Sequence, residues 1–193
     1  MKKLLAVALI LAMLIPCAVA ETPISAEKIL SIDLSLLSND GIETILTAIS
    51  QSEPFKTPGG YMWVPQDASL FGNKIMIIWA YIKDEKFNPV AFFLTRRQYT
   101  SYEGFDDDIE LFESVIADTK VALGQTGYYL INGEKYDTAD MTDEVKAKAF
   151  STLLSDYLML AYPFGDSYAV VLNATKSEST IALFAANGLY DYQ

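Results

Sequence analysis

The segment Lys74–Ile82, KIMIIWAYI, is apolar at every position after its lysine. At the two-residue period of a strand, Ile75, Ile77, Trp79 and Tyr81 fall on one side and Met76, Ile78, Ala80 and Ile82 on the other. A half-solvated strand alternates apolar with polar residues. A strand apolar on both sides must therefore be covered twice, by helices, by a second sheet or by a partner chain. Pro89–Thr95 is similarly rich in β-branched and aromatic residues, and the polar turn Lys83-Asp84-Glu85-Lys86 joins the two runs into a hairpin.

The rest of the chain supplies candidates for that cover. Ile42, Ile45, Leu46 and Ile49 recur at helical spacing behind the capping candidates Ser38, Asn39 and Asp40, which predicts a helix over about 40–50. A second helix is predicted over Phe105–Leu123. Phe105, Ile109, Phe112 and Ile116 form its stripe, Asp106, Asp107 and Asp108 its first turn, and Gly124 its C-cap. A third is predicted from Asp143 to Ala161, with Thr142 as its cap and Pro163 beyond its end. Lys28–Leu36 alternates at strand period and is assigned to a strand, although Glu27–Leu30 also suits the start of a helix. Asn132-Gly133 marks a small hairpin between Tyr128–Ile131 and Glu134–Asp137, and a second apolar hairpin pairs Tyr168–Leu172 with Thr180–Ala186. Adjacent antiparallel strands interrupted by helices predict an α+β domain, an antiparallel sheet built from apolar hairpins and packed with about three amphipathic helices. No linker divides residues 21–193, so one domain is expected.

Met1–Ala20 has two lysines, an apolar core from Leu4 to Ile15 and the small-residue ending Ala18-Val19-Ala20, the pattern of a secretory signal peptide cleaved before Glu21. A lipoprotein acylated at Cys17 is the rival reading, disfavoured by Pro16 directly before the cysteine. The expected destination is secreted or extracytoplasmic, with no membrane attachment after cleavage. Cleavage removes the single cysteine, and the chain has no histidine. Disulfides, Cys- or His-based triads and the usual haem or iron–sulfur ligands are then excluded, and no cofactor is expected. Net charge moves from −11 to −13, because two lysines and no acid leave with the signal. Acids outnumber bases 25 to 14 and the longest basic run is Arg96-Arg97, so nucleic acid is an unsuitable partner.

Three chemistries need weighing. Ser25-Ala26-Glu27-Lys28 matches the S-x-x-K pattern of serine–lysine acyl enzymes, but neither companion motif is present. The acids Asp106, Asp107, Asp108, Glu110 and Glu113 provide carboxylates of the kind glycoside hydrolysis uses, though their positions are those of a helix start and its solvated face. Asp137, Asp140, Asp143 and Glu144 suit a hard cation, yet turn formation and capping explain them, and no metal is expected. The remaining signal is Ser52–Gly72, a long segment with three prolines, Gly59-Gly60 and displayed aromatics, expected to be a loop with a short strand at Tyr61–Val64. Tyr61, Trp63 and Phe71 are its candidate ligand-binding residues, against the alternative that they pack on the sheet edge. The favoured reading is a non-enzymatic exported module binding a protein, a peptide or an envelope polymer such as a glycan, with a small carboxylate-dependent glycan hydrolase as the alternative. An uncovered apolar sheet face would also suit a homodimer.

Overall fold

The two apolar hairpins become neighbours in one antiparallel sheet. A computed structural model of the chain describes residues 25–30, 32–98, 105–136, 157–175 and 180–188. Its strands are β1 (Phe55–Thr57), β2 (Gly60–Trp63), β3 (Ser69–Leu70), β4 (Asn73–Lys74), β5 (Ile77–Lys83), β6 (Lys86–Gln98), β7 (Tyr129–Ile131), β8 (Glu134–Tyr136), β9 (Tyr157–Phe164), β10 (Tyr168–Thr175) and β11 (Thr180–Asn187). Nine of them form a sheet in the order β1-β2-β5-β6-β11-β10-β9-β7-β8, and β3 and β4 form a separate pair. The helices are α1 (Ala26–Leu30), α2 (Asn39–Ser50) and α3 (Phe105–Leu123), with a 3₁₀ turn at Leu34–Leu36. The fold is α+β, a large antiparallel sheet with a few helices.

The helices pack on one face of the sheet. Ile29 and Leu30 of α1, Ile42, Leu46 and Ile49 of α2, and Phe112, Val115 and Ile116 of α3 join Ile78, Phe92, Val170, Leu172 and Leu183 of the strands in a single buried cluster. Ser38 caps α2, its hydroxyl accepting from the Gly41 N–H at 3.2 Å. Asn39 has a different task. Its amide donates to the Glu85 carbonyl at 2.7 Å and accepts from the Phe87 N–H at 3.0 Å, which pins the start of α2 to the β5–β6 turn. That turn places Asp84 and Glu85 at positive φ, and Asn132-Gly133 does the same between β7 and β8, as tight hairpins require. The Asn187 amide donates to the carbonyls of Ile29 in α1 and Ile32 just beyond it, so a buried side chain of β11 ties this segment to the sheet.

Several expectations are corrected. Lys28–Leu36 is not a strand, because Ala26, Ile29 and Leu30 bury one face of a helical turn and Leu34 follows in the 3₁₀ turn. Of the third predicted helix, 143–156 lies outside the described residues, and Tyr157–Ala161 belongs to β9. Leu158 to Phe164 is buried at every position, which a strand inside a two-faced sheet demands and a helical stripe does not. Pro163 lies past the last β7 pairing on β9, Leu130 with Ala161, where an unpaired strand edge tolerates a residue without an N–H. The segment 52–72 is more regular than expected, since β1 and β2 form a hairpin that joins β5. Gly60 makes that junction: its φ is +150°, and a Cβ there would sit 2.0 Å from the Ala80 carbonyl oxygen. The signal segment 1–20 and the acids Asp137, Asp140, Asp143 and Glu144 lie outside the described residues.

Candidate functional site

The second face of the sheet carries only strand residues in its buried cluster, and no described helix contributes to it. Its cross-strand rows follow from the register. Met62, Trp79, Ala91, Ala186, Ala169 and Pro163 form one row. Ile77, Phe93, Phe184, Val171, Ala161 and Leu130 form the next. Arg96, Ala182 and Asn173 lead the third, and Gln98, Thr180 and Thr175 the fourth. The face thus passes from aromatic and small apolar residues to polar ones along the strand direction.

A β-bulge decides which arginine reaches this face. Phe184 pairs with Phe93 but Leu183 pairs with Thr95, so β6 holds one extra residue at Leu94. The bulge inverts the alternation beyond it. Arg96 therefore shares the face of Phe93, while Arg97 turns to the helix side and forms an ion pair and hydrogen bond with Asp108 of α3. Asp108 is 4% exposed, contrary to the solvated position expected for it. Burial pushes its carboxyl above the usual range, and the charge and hydrogen bond of Arg97 oppose that rise.

At the boundary between the apolar and polar rows lies a trough of about 270 Å³, lined by Trp79, Tyr81, Phe93, Arg96, Asn173, Thr175, Thr180, Ala182 and Phe184. Trp79 and Tyr81 stack with ring centroids 5.2 Å apart, and Phe93 and Phe184 lie 4.9 Å apart. Trp79 Nε1 and Asn173 Oδ1 are buried and have no hydrogen-bond partner. Native structures leave few such atoms, and these two belong to residues that line the trough. Burial raises the Tyr81 phenol, and the positive charge of Arg96 opposes the shift. Arg96 has no ion-pair partner among the described residues.

A larger cavity of about 330 Å³ lies against α2 and the β5–β6 turn, with Asp33, Asn39, Phe87, Asp166 and Asn187 among its walls. Its Asn39 and Asn187 amides are spent on holding backbone groups, and both acids are exposed. Neither is the shielded carboxylate that acid-catalysed hydrolysis needs, and the buried Asp108 is committed to Arg97. Among the described residues no group of three or more carboxylates gathers as a metal site would, and no described helix is long and apolar enough to cross a membrane.

The sequence candidates Tyr61, Trp63 and Phe71 come together on the opposite, helix-covered side. Trp63 is fully buried and donates from Nε1 to Thr47 Oγ1 at 3.0 Å, which corrects the exposure expected of it. Tyr61 is half-buried, edge-on to Phe87 with centroids 5.2 Å apart. Phe71 is half-buried too, its N–H donating to Glu27 Oε1 at 2.7 Å. The same bond gives Glu27 of the S-x-x-K stretch a structural partner. Sequence reasoning passed over Arg96 because it sits in a dipeptide whose partner, Arg97, faces the other way. The one available signal was Trp79 on a strand apolar on both faces. No protein-family model, curated protein or solved structure matches the chain.

Proposed function

We propose that the chain is an exported, non-enzymatic binding domain whose ligand occupies the trough between Trp79, Arg96 and Asn173. The observation that carries this reading is the pair of buried, unpartnered polar atoms, Trp79 Nε1 and Asn173 Oδ1, on residues that line a concave pocket where aromatic rings meet polar groups. The trough is small, below the roughly 300–1,000 Å³ of common ligand sites, so it suits a small molecule or one terminal group of a peptide or glycan. Export is supported by the signal pattern at 1–20, and the acidic composition suits a soluble life outside the cell.

Ala182 lies in the trough floor with part of its surface open, so Ala182→Phe fills the site from a position that bears no chemistry of its own. A thermal-shift screen of small anions, sugars and short peptides is expected to give stabilising ligands for the wild type that lose their effect in Ala182→Phe. Ligands that stabilise both proteins equally would place binding elsewhere on the molecule.

A further inference from the structure

The chemistry lining the trough selects the charge of its ligand. Among the described residues no acid lines this pocket, and the one charged side chain there is Arg96, which has no ion-pair partner among them. The other polar side chains of the lining, the Tyr81, Thr175 and Thr180 hydroxyls and the Asn173 amide, all carry N–H or O–H donors. The hydroxyls can also accept, and Asn173 Oδ1, which only accepts, is buried without a partner. Next to this donor-rich end are the faces and edges of Trp79, Tyr81, Phe93 and Phe184. A guanidinium beside neutral donors matches the two oxygens of a carboxylate, and stacked aromatic rings match an apolar body.

We infer that the trough binds a small amphipathic carboxylic acid, its carboxylate on Arg96 and its apolar body against Trp79, Phe93 and Phe184. This rests on the trough being the binding surface, as proposed above. The bulge at Leu94 is then a specificity feature, since plain alternation would turn Arg96 to the helix side and leave the trough without its charge. The net negative charge of the chain disfavours anions in general, so selectivity comes from the local positive charge of Arg96.

Octanoate and octanol, alike in length and different in charge, are suitable probes for calorimetric titration of the wild type, Arg96→Gln and Ala182→Phe. Arg96 is exposed, so its neutral variant keeps the fold, which circular dichroism checks. The expected result is that octanoate binds the wild type about tenfold or more tighter than octanol, as one charge-assisted contact provides. Arg96→Gln should erase that preference while retaining octanol binding, and Ala182→Phe should abolish both. Equal affinity of the wild type for the two probes overturns the carboxylate assignment and leaves the trough as a binding surface. Octanoate binding that survives in Ala182→Phe, or failure of both probes to bind folded wild type, overturns this inference together with the site.

Discussion

Replacing each tryptophan by alanine separates the two faces of the sheet by energy. Trp63 is fully buried among helix-side residues and its indole N–H is bonded to Thr47. Emptying such a site costs about 3–5 kcal/mol from lost contacts and the remaining cavity. For a chain of this size each kcal/mol moves the melting midpoint by roughly 2–4 °C, so Trp63→Ala should lower it by roughly 6–20 °C. Trp79 is part-exposed, and its buried N–H has no partner. Truncation there loses less apolar burial and also removes an unsatisfied donor whose burial costs about 1–3 kcal/mol, so the net loss should stay within about 1–2 kcal/mol. Urea unfolding with an unchanged m-value measures both. Acrylamide quenching of Trp63→Phe and Trp79→Phe gives an independent check: the protein retaining Trp79 should be the more readily quenched. Equal losses from the two alanine variants, or stronger quenching of Trp63, would refute the assignment of the faces.

Arg97→Met should cost about 1–3 kcal/mol, less than the 3–5 of a broken buried pair because Arg97 is 38% exposed. Without Arg97 the Asp108 carboxyl rises further, so the native state holds a proton that the unfolded chain has released, and stability falls as pH rises above the ordinary carboxylate pKa. Urea titrations should therefore show a larger loss at pH 7 than at pH 4, and equal losses would contradict the buried pairing. Gly60→Ala forces a Cβ into the Ala80 carbonyl at positive φ and should cost at least about 2 kcal/mol by thermal melting, a neutral effect arguing against the β2–β5 junction. Intact mass of the exported protein should correspond to a chain beginning at Glu21, and a species beginning at an acylated Cys17 would overturn the signal assignment.

Much of the sheet was legible because its strands announce themselves locally. KIMIIWAYI was expected to need two covers; the helices cover one face, and no described element covers the other, where the strand residues cluster among themselves. The helices α2 and α3 were legible through capping and period. Tyr157–Phe164 was not, because a short wholly apolar run satisfies the helical stripe and the two-faced strand equally, and only its neighbours β10 and β7 decide. Trp63 was misplaced for a related reason: proline and paired glycine suggested a loop, whereas Gly60 serves the close approach to β5 that draws Trp63 into the core. The trough escaped notice because it depends on register. Arg96, Asn173 and Trp79 are far apart in the chain, and a single bulged residue sets which arginine faces them. Single-residue bulges leave little trace in periodicity.

The chain has two tryptophans, hence two indole N–H resonances in a ¹⁵N-correlated NMR spectrum, one from each side of the sheet. Titration with octanoate is the most direct test of the trough as the binding surface. The Trp79 indole signal should move with saturation while the Trp63 signal, held by Thr47, stays in place. Movement of the Trp63 indole with the Tyr61 and Phe71 amides, while Trp79 remains still, would contradict the account and return the site to the aromatic segment.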